Sequence, residues 1–350
     1  MRVYFYVAYP YYFPHFLPIS ELLNRQGEKV TYILSDKQNS KLMIEIAQKH
    51  QLDYYIGEQH LFSSDADWIF FANIFSDIDQ VKSKTIFMDH GVGTKACNYM
   101  RALDIYNLVL VEGDYRYRTL TKDFPQHQQK IKKVGFSKLD KAINFSTQER
   151  ETYIKKYNIN NNRPTILYAP TFFPSSIEKM SKDFPKDFKD CNIIIKPHYL
   201  SLHRNRYKRQ QTLFKQWASY ENCTVCDASE YSLTPFLNLC DIMISDESSA
   251  IFEFTALDKP VILNRFLKLR WSYYINPKKL FDRLDSGIDT YRQIGDNAQN
   301  YQEMVMMVRE NLKNPSKYKK IRTKYTLEIC GEVDGQASKR IIEELKNYQK

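Results

Sequence analysis

Glycine is scarce in this chain, with 10 in 350 residues. Where two fall within three positions, at Gly91 and Gly93, the backbone therefore has a task that side chains would obstruct. No apolar run reaches about 18 residues, which excludes a membrane-spanning helix. The opening Met1–Ala8 is short and aromatic and lacks a small-residue cleavage site, so it reads as a first strand and not as a secretory leader. The six cysteines have no framework spacing. Cys223 and Cys226 form a CxxC, but no second pair completes a zinc site, and strand alternation turns the two thiols away from a common face. They are expected to be packed thiols of a reducing, cytoplasmic compartment. No metal-ligand spacing stands out, and no cofactor is expected. A P-loop and a GxGxxG are both missing, which removes the main support for a kinase or a dinucleotide-dependent enzyme.

What is present is positive charge and aromatic surface. The formal net charge is +10, with 26 Tyr and 21 Phe. A basic surface suits anionic partners such as a nucleotide, a phosphorylated acceptor or an acidic membrane leaflet. Lys and Arg are scattered apart from a short cluster at His203–Arg209. There is no zinc-finger spacing, RNP-type stretch or long basic arm, so nucleic acid is disfavoured.

Short β runs alternate with helical stretches through the first third. Strands are predicted at Arg2–Ala8, Lys29–Ser35, Trp68–Ala72, Thr85–Met88 and Leu108–Glu112, with helices at Leu17–Arg25 and Lys41–His50. An aromatic and proline-rich loop, Tyr9–His15, separates the first strand from the first helix. The rhythm pauses around Gly135, passes a polar helix at Phe145–Tyr157 and an Asn-rich breaker, and restarts. Further strands are predicted at Thr165–Ala169, Asn192–Lys196, Thr224–Cys226, Ile242–Ser245 and Pro260–Asn264. The end reads as helical over Asn300–Leu312 and Ser338–Tyr348. The fold class is α/β, with two Rossmann-like halves of similar size facing across a cleft. Ligands of such sheets bind beyond the carboxyl ends of the strands.

Four loops at such positions carry chemical side chains. Asp89–Lys95 joins two glycines to His90, a possible general base, and to Lys95, which could hold an anion. Lys196-Pro197-His198 could grip a phosphate, with His198 as a donor; a structural turn explains it as well. Ser245–Phe254 leads into a helix, where Ser248 or Ser249 could cradle a pyrophosphate and Glu253 could accept from ribose hydroxyls; an ordinary N-cap is the plainer reading. Asp334–Arg340 opens the last helix, either as a cap or as a closing element.

In this order the loops resemble the CDP-glycerol glycerophosphotransferase family of teichoic-acid-type polymer synthesis. The resemblance rests on His90–Lys95, Ile166–Phe172, Ile195–His198, Ser245–Phe254 and Asp334–Arg340. It implies the GT-B architecture, with an acceptor-side domain over residues 1–140, a nucleotide-donor domain over 141–330 and a C-terminal helix at the domain junction over 331–350. It implies His90 as the base on an acceptor hydroxyl and His198 as a contact to the donor phosphates. Ser248 and Ser249 would hold the pyrophosphate, Glu253 the ribose, and Ala169-Pro170-Thr171 the cytosine. Gly91, Lys95, Lys196, Asp246 and Arg340 complete the expected donor contacts, with no metal required. The reaction so implied moves glycerol phosphate from CDP-glycerol to a glycan or lipid-linked acceptor and releases CMP, in the cytoplasm or on the inner face of the membrane. The chain departs from the family pattern at Val92-Gly93 and at Glu247. CDP-ribitol or a sugar nucleotide therefore stays open as donor, and a GT-B glycosyltransferase or a nucleotide-sugar epimerase as the alternative function.

Overall fold

The computed structural model describes residues 1–37, 40–93, 97–246, 248–269, 273, 275 and 288–348. The chain forms two compact units, Met1–Asn144 with Leu327–Lys350, and Phe145–Thr326. The second crossing of the chain between them falls inside the helix Lys319–Cys330.

In the first unit the strands are β1 (Arg2–Val7), β2 (Lys29–Leu34), β3 (Tyr54–Ile56), β4 (Trp68–Phe71), β5 (Lys84–Met88), β6 (Leu108–Val111) and β7 (Ile131–Lys133). They form one sheet in the order β3-β2-β1-β4-β5-β6-β7, with every pairing parallel. The central strands are continuous apolar runs, Trp-Ile-Phe-Phe in β4 and Leu-Val-Leu-Val in β6, and every residue of both is buried. Such runs are expected where both faces of a parallel sheet are covered.

The second unit repeats the plan with β8 (Thr165–Ala169), β9 (Asn192–Ile195), β10 (Cys223–Val225), β11 (Ile242–Ser245), β12 (Val261–Asn264) and β13 (Asp296–Ala298). Its order is β10-β9-β8-β11-β12-β13, again all parallel. Both sheets therefore reverse their strand order once, beside β1 in the first and beside β8 in the second. That reversal is the switch point at which ligands bind in doubly wound folds. Cys223 and Cys226 are buried free thiols, and burial pushes both up to about 12.

Three local features depart from the expected elements. The aromatic loop after β1 is mostly helical: a short 3₁₀ turn, Pro10–Tyr12, runs straight into the helix Phe13–Arg25. Pro14 sits in its first turn, where a missing N–H costs nothing. The helix Lys319–Cys330 was not anticipated, because its pattern of apolar residues is weak. The edge strands β3, β7 and β13, each three residues long, are not among the expected strands.

The last helix, Ala337–Tyr348, belongs to the first unit. Asp140 caps it from a distant part of the chain, accepting from Ala337 N at 3.0 Å and Ser338 N at 2.7 Å. At its far end Tyr348 packs edge-on to Trp68 at 5.0 Å. The approach depends on Gly331, whose φ of +76° and nearness to Glu112 O, 2.3 Å from where a Cβ would lie, leave no room for a side chain. Gly27 has the same φ of +76° but open space around it. Gly27→Ala should therefore cost about 1 kcal/mol through φ alone, and Gly331→Ala distinctly more, about 2–4 kcal/mol. Urea unfolding of the two variants measures the difference; equal costs would contradict the close packing behind Glu112.

Candidate active site

In the first unit β5 delivers Asp89 and His90 at its carboxyl end. The His90 amide donates to Asp89 Oδ1 at 2.8 Å. The ring nitrogen Nδ1 lies 2.7 Å from the carbonyl oxygen of Ala72, at the end of the adjacent strand β4, and 3.1 Å from Asp89 Oδ1. A carbonyl oxygen can only accept, so Nδ1 carries the proton and the lone pair is left on Nε2. Burial works against the His90 cation, but the Asp89 carboxylate and the Ala72 carbonyl outweigh it and hold the imidazole above its usual pKa. The rings of Tyr11 and Tyr12 lie 5.6 and 5.0 Å from the imidazole, and His90 keeps 30% of its side chain exposed. The aromatic segment after β1 thus walls the histidine.

In the second unit the switch point falls between β8 and β11. Ser245 pairs with Ala169 across it, and the Ser245 hydroxyl donates to Ala169 O at 2.6 Å. Asp246 follows with no exposed surface. Its carboxylate accepts from Thr171 N at 3.0 Å, Ser175 Oγ at 3.0 Å, Ser176 N at 3.2 Å and Ser176 Oγ at 2.5 Å. Burial pushes this carboxyl up to about 6, against the pull of the Ser176, Ser175 and Thr171 donors. Ser248 Oγ accepts from Ala250 N at 3.3 Å; Ser248 and Ser249 are partly exposed. Glu253 is buried in the helix Ala250–Thr255.

Lys196-Pro197-His198 leaves β9, the other neighbour of β8. The Lys196 amide donates to Tyr168 O at 2.9 Å. His198 caps the short helix Tyr199–His203, its Nδ1 accepting from Leu200 N at 3.1 Å. That bond fixes the opposite tautomer to His90: Nδ1 is the acceptor, so the proton of the neutral ring sits on Nε2. Phe172 packs against the imidazole at 4.7 Å, and its carbonyl accepts from Gln210 Nε2 at 3.2 Å. Among the described residues, no group of three or more His, Cys, Asp or Glu side chains is arranged to hold a metal.

Residues 77–347 match the family model of CDP-glycerol:poly(glycerophosphate) glycerophosphotransferase. The chain belongs to that family. Among its relatives, the teichoic acid glycerol-phosphate primase of Bacillus subtilis (strain 168) is 22% identical over 257 residues, covering 71% of this chain and 60% of that protein. The teichoic acid glycerol-phosphate transferase of Staphylococcus aureus (strain NCTC 8325 / PS 47) is 24% identical over 282 residues, or 72% and 64%. The teichoic acid glycerol-phosphate primase of Bacillus spizizenii (strain ATCC 23059 / NRRL B-14472 / W23) matches 34% of this chain at 32% identity and 30% of its own length. The chain thus spans between 30% and 64% of the curated relatives it matches. The wall teichoic acid polymerase TagF superposes with a TM-score of 0.69 at 17% identity, covering 100% of this chain and 90% of its own. MnaA of S. aureus, solved with UDP, gives 0.68 at 11% identity, covering 99% and 96%. The glycerophosphotransferase-family chain therefore has the GT-B fold that these neighbours share.

Of the expected donor contacts, Ala169, Pro170, Thr171, Asp246, Ser248 and Ser249 meet at the β8–β11 switch point, with Lys196 and His198 one strand away. Gly91 stands beside His90 in the first unit, and Lys95 lies outside the described residues. Two of the expected residues have intramolecular partners. Asp246 has no exposed surface, and its oxygens accept from Thr171, Ser175 and Ser176, so it shapes the Thr171–Ser176 loop. Arg340 lies in the first unit with its guanidinium forked onto Asp334 at 2.8 and 3.0 Å, and its Nε donates to Val134 O at 2.8 Å. It locks the last helix in place. Ser175 and Ser176 were missed because nothing in the sequence pairs them with an aspartate seventy residues on.

Asp246→Asn should destabilise the second unit by about 1–3 kcal/mol, because an amide cannot accept from all these donors. The folded carboxyl binds its proton more tightly than an ordinary aspartate, so the stability that Asp246 supplies is greatest at low pH and is lost as pH rises through about 6. Unfolding at about pH 5 and about pH 7.5 should then show a smaller penalty at the higher pH. A penalty growing with pH would contradict the buried-carboxyl account.

Proposed function

We propose that the protein transfers glycerol phosphate from CDP-glycerol to a hydroxyl of a glycan or lipid-linked polyol-phosphate acceptor. The family membership sets the class of reaction. The single observation that supports the chemical assignment is the pair of opposite tautomers. His90 keeps a basic Nε2 at the end of β5, and His198 presents an Nε2–H beside the loop that follows β8.

In this reading His90 Nε2 takes the proton of the acceptor hydroxyl as its oxygen attacks the phosphorus that bears glycerol. The bond from that phosphorus to the bridging oxygen breaks, and CMP leaves with the electron pair. The products are a new phosphodiester and CMP. His198, with Lys196 beside it, stabilises the negative charge on the phosphate oxygens, which is the main task that phosphoryl transfer leaves to a protein. Ser248 and Ser249 hold the pyrophosphate, Glu253 the ribose, and the backbone of Ala169-Pro170-Thr171 the base. Gly91 lets the donor approach the backbone beside His90 closely.

The net charge of +10 supports attachment to an anionic membrane face, where a lipid-linked acceptor would be found. No helix among the described residues is long and apolar enough to cross a membrane.

His90→Ala should lower turnover by about 10²- to 10⁴-fold, the range of a general base. It should keep the rise in melting temperature that CDP-glycerol produces by binding the native state. Because the base works only when neutral, the rate should climb through a pKa above 6.5, and Asp89→Asn should move that limb to lower pH. Loss of nucleotide binding in His90→Ala, or stabilisation by UDP compounds and not by cytidine nucleotides, would overturn the assignment and favour a sugar-nucleotide enzyme.

A further inference from the structure

Behind the His90 loop lies a buried polar chain that the chemistry above leaves unused. Arg116, on the helix Asp114–Asp123, is 2% exposed. Its Nη2 donates to the carbonyl oxygen of Gly93 at 2.7 Å. Gly93 stands at φ +146°, a conformation that side-chain-bearing residues rarely adopt, so this peptide is set for that bond by being glycine. The guanidinium lies over the ring of Tyr99, 4.3 Å from the centroid. The Tyr99 hydroxyl in turn donates to Glu112 Oε1 at 2.6 Å.

The three side chains come from different elements. Tyr99 is on the helix Cys97–Ile105, just beyond the loop; Glu112 leaves the carboxyl end of β6; Arg116 starts the next helix. Glu112 cannot shift, because its carbonyl accepts from Gly135 N at 3.1 Å and Gly331 packs directly against it. The groups facing it are Tyr99, Arg116 and Asp89, with Arg340 beyond Gly135. Burial pushes the Glu112 carboxyl up to about 7, against the pull of Arg116 and the Tyr99 hydroxyl. A buried cation and carboxylate are poor sources of stability, since well-packed apolar side chains of the same volume often do as well or better. Stability alone therefore does not account for them. What the chain does reach is the loop, at Gly93, the helix after it, at Tyr99, and Asp89, which acts electrostatically on all three members.

We propose that Arg116, held by Tyr99 and Glu112, is a positioning residue that clamps the Gly93 carbonyl and so keeps His90 against Ala72 with Nε2 presented to the acceptor. The inference rests on His90 being the base. Without the clamp the loop relaxes, Nδ1 loses its carbonyl partner, and the imidazole is misplaced by a fraction of its contact distance.

Steady-state kinetics of Arg116→Met, Tyr99→Phe and His90→Ala in the full chain, with an NMR titration of the His90 ring, test this. Arg116→Met should lower kcat by about 10- to 100-fold per folded molecule, as expected for a misplaced catalytic group. KM for CDP-glycerol should stay within about twofold, because uniform binding is untouched. Tyr99→Phe keeps the ring and removes only the tether, so it should fold and show a smaller loss of the same kind; if Arg116→Met does not fold, this variant carries the test. The sign of the His90 shift discriminates. Loss of a neighbouring positive charge alone would raise its pKa, whereas loss of the Ala72 and Asp89 contacts lowers it. A lowered pKa with lowered kcat is the expected result. Unchanged kcat per folded molecule, or a raised His90 pKa, would overturn the clamp and leave Arg116 a structural residue. If His90→Ala retains turnover, the base assignment fails by itself, and the direction of the His90 titration still decides whether the clamp exists.

Discussion

A parallel sheet whose strand order reverses sends the two chain segments at the reversal to opposite faces, which leaves the carboxyl ends of the central strands uncovered. The candidate site of the second unit depends on that constraint. In the second unit the gap falls between β8 and β11, and the loops that follow these strands face each other across it. Asp246 holds that arrangement. A carboxylate with no solvent must have its charge compensated by donors, and here they come from Thr171, Ser175 and Ser176. The polar loop after β8 is thereby given one shape before any ligand arrives, which is the kind of preorganisation that phosphoryl transfer rewards.

Backbone groups then set the polarity of the two histidines. At His90 a carbonyl oxygen takes up Nδ1, and at His198 an amide N–H does. Two chemically identical side chains are thereby given opposite neutral tautomers, with the proton on Nδ1 of His90 and on Nε2 of His198. Asp89 adds to this at His90 by favouring the cation that forms when a proton is accepted. The aromatic residues after β1 complete the wall, with Tyr12 buried under the imidazole and Tyr11 beside it.

Much of this was legible in the sequence, for physical reasons. Buried parallel strands read as unbroken apolar runs, and glycines, histidines and serines clustered just past them mark strand ends where ligands bind. Hence His90, His198 and the Ser248–Ser249 pair fall at such loops as expected. Contacts made across long sequence separations were not legible. The partners of Asp246 in the Thr171–Ser176 loop lie about seventy residues away, and the Val134 carbonyl that Arg340 Nε reaches lies 206 residues away. Tyr99 and Arg116 lie on separate helices and Glu112 at the end of the apolar strand β6, and only the fold stacks them behind Gly93. The first helix begins at Phe13, ahead of the expected Leu17, because Pro14 in its first turn is a favourable start and not an interruption.

The most direct test of the central claim is to follow the products by ³¹P NMR when the protein meets CDP-glycerol and an acceptor ending in glycerol phosphate. The account predicts CMP and a new phosphodiester resonance appearing together in equal amounts, both dependent on His90. Appearance of CDP in place of CMP, or reaction only with a UDP-sugar and release of UDP, would contradict it.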